Sequence, residues 1–266
     1  MAIDHVINYL CEPKDQLTTQ GILMRLKGRD QAARIIQLFR DAGDDRPPQE
    51  MGFEFTRSAA NGDEETAIIK VSEVLAASAQ LEPLAHHCEG CPANVQGKPF
   101  GCFGRIGYPI SEQAERWLLL QLPLPEQAPL VWTLLQQNLR DLNQHTAQVQ
   151  KIRESGNYFE AERTPRRKLG EIALSGDNVF YFLFMQGHTI PSRAAVTLLF
   201  FDAIPRNIDA TDMMKLAPAP PNAAERYPLQ VAPQAPGDDS TITEIKAFLR
   251  ALYTAWRLHV DLLLDT

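Results

Sequence analysis

The stretch PLAHHCEGCPANVQGKPFGCFGRIGYPIS, residues 83–111, decides how the rest of the chain is read. Prolines at 83, 92, 99 and 109 and glycines at 90, 97, 101, 104 and 107 argue against a regular element, so a long loop is expected there. Loops of more than about 15 residues are uncommon in compact domains unless they are functional, disordered or held by something other than backbone pairing. Three of the four cysteines, Cys88, Cys91 and Cys102, lie in this stretch, and Cys11 lies far upstream. A lone thiol plus a cluster of three is how a chain ties a distant segment to a locally built half-site. Four thiolates complete a tetrahedral zinc or an iron–sulfur shell.

The core of the motif is His86-His87-Cys88-Glu89-Gly90-Cys91-Pro92. A C-x2-C turn lets two sulfurs converge on one centre, and Gly90 makes that turn easy. Cys102, between Gly101 and Gly104, is the expected third ligand. Cys11, followed closely by Pro13, is the expected fourth, with His87 and then His86 as the fallback. Zn2+ is the preferred occupant because structural zinc needs no assembly machinery, and a [4Fe-4S] cluster is the alternative because it accepts thiolates from separate segments. Four thiolates close the shell and make the site structural, whereas without Cys11 an open position would leave Glu89 or His87 beside the metal as acid or base. The competing bland reading is four reduced cysteines packed as small hydrophobes.

Only in its cysteines does the three-plus-one spacing resemble the iron–sulfur staple of RecB-type nucleases. The acidic and Glu-x-Lys motifs of that family should precede the trio, and here Glu244-Ile245-Lys246 follows all four cysteines. The zinc-deaminase order is absent too, as are a Walker loop, a dinucleotide fingerprint, a G-x-S-x-G elbow and an H-E-x-x-H helix. Arg163, Arg166, Arg167 and Lys168 form the densest basic patch, and Asp63, Glu64 and Glu65 an acidic run; both read as solvated charge. The common enzyme signatures are missing.

Beyond the loop, 266 residues suffice for a substantial core, and 44% hydrophobic with 22% charged residues is an ordinary globular composition. A net charge of -7 repels a phosphate backbone, so general nucleic-acid binding is not expected. The first residues lack a basic leader with an apolar core, and the most apolar runs, 179–185 and 194–201, are too short for a membrane span. A cytoplasmic location is expected, where cysteines serve metals more often than disulfides.

Residues 19–42 carry a helical period with Thr18 or Thr19 as N-cap and Gly43 as stop. Residues 52–57 and 66–71 read as a hairpin turning at Asn61-Gly62-Asp63, followed by helices at 72–81 and 111–122. Two stripes of three-four spacing follow: Val131, Leu135, Asn138, Leu142, His145, Val149 and Ile152, and then Ile242, Ile245, Leu249, Leu252, Trp256, His259 and Leu263. Between them, 169–203 suggests two or three strands with Val179–Phe184 buried in a sheet, though a helix is possible at 193–202. Residues 205–240 are proline-rich.

The expected fold is α+β, a small antiparallel or mixed sheet with several helices, stapled by the cysteine-ligated metal. Its parts are a domain over 1–204, a linker or surface arm over 205–240, and a helix over 241–266 packing back on 126–153. The expected work is protein–protein interaction as an adaptor, regulator or complex subunit, with a protein partner or a homodimer. An iron–sulfur redox or sensor protein and a zinc-dependent enzyme are the alternatives.

Overall fold

A computed structural model describes residues 2–58, 64–142 and 146–265. The chain divides into two compact units, a split unit of Met1–Tyr9 with Pro92–Thr266 and a contiguous unit of Leu10–Cys91. Strand β1 (Ala2–Ile7) belongs to the first; the contiguous unit begins with helix α1 (Glu12–Leu17).

In the contiguous unit α1 is followed by α2 (Thr19–Asp41), a 3-10 turn (Pro48–Glu50), β2 (Gly52–Ser58), β3 (Glu64–Lys70), α3 (Val71–Ala79) and a 3-10 helix (Glu82–Cys88). Thr18 caps α2 as expected, its Oγ1 accepting from Gly21 N–H at 3.1 Å. Gly28, a weak point by propensity, has a packing role: a Cβ there would lie 2.9 Å from Val74 Cγ1, so its absence lets α2 and α3 close on each other. Arg25 reinforces the contact, donating from Nε and Nη2 to Gln80 Oε1 at 3.1 and 2.6 Å. Ala32, Met51 and Val71 form the core, with Ile36, Phe39 and Phe53 packed against it. Strands β2 and β3 pair antiparallel with Phe53 opposite Ile69, while Asn61-Gly62-Asp63 lie outside the described residues.

The split unit continues with β4 (Phe103–Gly107), α4 (Glu112–Gln121), α5 (Pro129–Leu142), α6 (Thr146–Glu154), β5 (Arg166–Leu169), β6 (Ile172–Ser175) and α7 (Gly176–Phe184). It ends with β7 (His188–Thr189), α8 (Pro191–Phe200), α9 (Ala210–Met214), α10 (Ala223–Arg226), α11 (Ser240–Leu258) and β8 (Leu262–Asp265). Four strands form an antiparallel sheet in the order β4-β1-β8-β7, while β5 and β6 make a separate hairpin. Helix α11 packs against β1, β4 and β8 and against α4 and α8. Mixed helix and antiparallel sheet make the fold α+β, as expected.

Several segments differ from the sequence reading. Residues 83–111 include β4 and the 3-10 helix, despite their glycines. Gly104 is required by β4, because a Cβ at this position would lie 2.3 Å from His5 Nε2 on the neighbouring strand. Val179–Phe184 lies in α7 instead of a strand. The residues Ser175-Gly176-Asp177-Asn178 are a capping box, in which Ser175 Oγ accepts from Asn178 N–H and Asn178 Oδ1 from Ser175 N–H, so they start a helix at the head of the apolar run.

The last helix also stops early. His259 ends α11 in the left-handed region at φ 56°, and Leu263 points from β8 rather than continuing the helical stripe. In the first stripe, Asn138 donates to Leu134 O of its own helix at 2.9 Å, and His145 lies outside the described residues. The proline-rich segment is anchored on the split unit: Trp256 Nε1 donates to Leu216 O at 2.7 Å, Tyr253 Oη to Tyr227 O at 3.0 Å and Gln230 N–H to Ala203 O at 2.9 Å. Among the described residues no helix is long and apolar enough to cross a membrane.

Candidate metal centre and a buried charge cluster

Cys88 is the last residue of the 3-10 helix, and the chain then turns sharply. Glu89 has φ -69° and ψ 129°, Gly90 has φ +68°, and Cys91 N–H points back to Cys88 O at 3.4 Å. These are the angles of a type II turn, whose third residue must take a positive φ, so Gly90 is there for its backbone. Cys11 is the N-cap of α1; its carbonyl accepts from Lys14 and Asp15 N–H while its side chain makes no capping bond. Helix α1 packs against the 3-10 helix that carries Cys88. All three cysteines of the contiguous unit are half-buried.

Cys102 belongs to the split unit, where it is buried just before β4 and its carbonyl accepts from Ile7 N–H at 3.1 Å. The loop leading to it is ordered by its own turns, with Gly101 N–H donating to Lys98 O at 2.9 Å and Phe103 N–H to Phe100 O at 3.0 Å. Gln96 Nε2 donates to Phe103 O at 2.6 Å. Local bonds thus supply part of the ordering that the sequence reading assigned to a metal. His86 and His87, the fallback ligands, are exposed with ring centroids 3.9 Å apart.

Among the described residues no group of three or more His, Cys, Asp or Glu side chains is placed to hold an ion. Cysteine thiolates are the donors a soft tetrahedral centre takes, and the Cys88–Cys91 turn sets two of them on one short loop. No protein-family model, curated protein or solved structure matches this chain.

The split unit holds a second polar constellation, which no sequence motif announces. Arg153 of α6 is 7% exposed and lies between Glu115 of α4, 3% exposed, and Asp177 of α7, 1% exposed. Its Nη1 and Nη2 donate to Glu115 Oε2 and Oε1 at 3.2 and 2.5 Å. Nε and Nη2 donate to Asp177 Oδ1 at 3.0 and 2.7 Å, and Nη1 also donates to Ala161 O at 2.7 Å. All five guanidinium N–H groups are engaged, and the guanidinium carbon lies 3.8 Å from the centroid of the Phe159 ring. Burial pushes the Glu115 carboxyl above its ordinary range, against the two bonds from Arg153 that draw it down. The cluster fastens three helices together and carries two carboxylates against one cation. Its sequence signal is phase: Glu115 falls on the same stripe of α4 as Leu118, Leu119 and Leu122, and Arg153 lies one turn after Val149, which is fully buried.

Proposed function

We propose that this protein is a cytoplasmic, metal-stapled interaction protein in which Cys11, Cys88, Cys91 and Cys102 supply a thiolate shell. The bound group is Zn2+, with a [4Fe-4S] cluster as the alternative. The observation that carries the reading is the type II turn at Cys88–Cys91, with Gly90 at the one position where a positive φ is demanded. The packing of α1, which starts at Cys11, against the 3-10 helix ending at Cys88 supports it further. A closed shell of four thiolates supplies folding free energy and no open coordination position. The chain then works by binding a protein partner or a second copy of itself. Exposed Met24 and Leu38 on α2 and Ile68 on β3 are apolar side chains available for such contacts.

Elemental analysis with an ultraviolet-visible spectrum, on protein purified without oxygen, tests the reading directly. About one zinc per chain and no colour is the expected result. Brown protein with iron and sulfide would replace the adaptor by a redox or sensor protein. Absence of both metals, with four titratable thiols in the folded protein, overturns the proposal. Cys11→Ser then separates a closed shell from an open one, since it strips metal and stability from the former and leaves a catalytic three-ligand site loaded.

A further inference from the structure

In the split unit a cleft of about 340 Å³ opens beside the buried charge cluster, lined by Arg153, Asp177, Thr164, Glu162, Arg163 and Arg166 among others. Its volume is in the range of small-molecule sites. The wall and the rim differ in what they offer a ligand. In the wall, the two bonds that Asp177 accepts from Arg153 both fall on Oδ1, leaving Oδ2 without a protein donor among the described residues. Asp177 is held rigidly, because its N–H donates to Thr164 Oγ1 at 3.2 Å and it lies in the first turn of α7. Two carboxyl groups face one guanidinium, so the cluster carries one negative charge in excess when Glu115 is ionised and is neutral when it is protonated. At the rim, Arg163 and Arg166 are exposed and their side chains make no hydrogen bond or ion pair among the described residues, so their guanidinium groups are available to an anion.

A fixed carboxylate with an open lone pair and two available guanidinium groups lining one cleft call for a ligand with both charges. We propose that this cleft binds a small zwitterion of the α-amino acid class, with its ammonium group against Asp177 Oδ2 and its carboxylate against Arg163 and Arg166. A free ammonium satisfies the acceptor that water otherwise must, and a carboxylate matches the planar donor pairs of arginine. The site is separate from the thiolate shell and stands whether or not a metal binds there.

The test is a thermal-shift and calorimetric screen of the full-length protein against single L-amino acids, followed by two derivatives of any hit. The N-acetyl derivative lacks the ammonium group, and the carboxamide lacks the carboxylate. The expected result is stabilisation by at least one amino acid, with both derivatives weakened about tenfold or more. The double variant Arg163→Gln/Arg166→Gln, which changes exposed side chains only, should weaken binding similarly while its unliganded melting temperature stays unchanged. Asp177→Asn should also weaken binding, but because it is buried the derivatives carry the test if that variant fails to fold. The proposal is overturned if no amino acid at about 10 mM shifts the transition, a concentration that detects weak millimolar binding. Equal binding of the N-acetyl derivative or the carboxamide overturns it too, as does unchanged binding by the arginine variant.

Discussion

His5 makes a residue-scale prediction. It lies on β1 under α11, 2% exposed, with its ring edge-to-face to Phe248 at 5.3 Å and Nδ1 without a hydrogen-bond partner among the described residues. Burial alone lowers its pKa from 6.5 to about 4. The unfolded chain therefore takes up a proton between these values while the folded one does not. Stability is full above pH 6.5 and falls as pH drops toward 4, by about 3 kcal/mol. Urea titrations across this window should show the loss in the wild type, and His5→Leu should flatten it. Arg153→Met is expected to be more damaging. It leaves Glu115 and Asp177 buried and facing each other without their cation, at a cost of about 3–5 kcal/mol in urea unfolding. Cys88, Gly90 and Cys91 were readable as a turn because glycine has a specific backbone use there. The Glu115–Arg153–Asp177 cluster was not, since its members come from three helices and nothing in their spacing links them.

Among the elements, those announced by their own caps were legible. Thr18 begins α2 and Ser111 begins α4, where its Oγ accepts from Ala114 N–H at 3.0 Å, as their positions suggested. Helix α7 is not legible as a helix because a fully apolar run has no period of its own, and what makes it helical is the cap at Ser175 before it. Helix α11 was overextended because its apolar spacing runs on into β8, where the same leucines serve a strand. The packing of α2 on α3 yields an element-scale prediction. Gly28→Val forces a branched side chain against Val74 and should lower stability by about 1–3 kcal/mol, read as a reduced urea midpoint with the slope unchanged. Gly28→Ala should show the same direction with a smaller size, since Ala restores helix propensity while it adds one methyl to the same contact.

For the whole molecule, composition and cap signals were enough for the α+β class, but the two-unit division was not readable. The boundary after Tyr9 leaves β1 separated in sequence from every strand that completes its sheet, and no local signal carries a pairing of that range. Each unit has its own core, so heating should give two transitions. Leu262→Asp places a carboxylate at a fully buried position of β8 and should lower only the transition of the split unit, with the contiguous unit keeping its amide protection in hydrogen exchange.

The place of β8 beside β1 also sets a timetable for synthesis. Residues 10–91 can fold as soon as they have been made, whereas Ile3, Val6 and Ile7 must wait for Phe103–Gly107 on one side and for Leu262–Asp265 on the other. During that interval the earliest strand is an apolar edge with open backbone groups, the kind of surface that chaperones shield and that aggregates when they do not. Slower translation should lengthen that interval and raise the fraction of chains that aggregate, measurable as insoluble protein on synthesis at different rates.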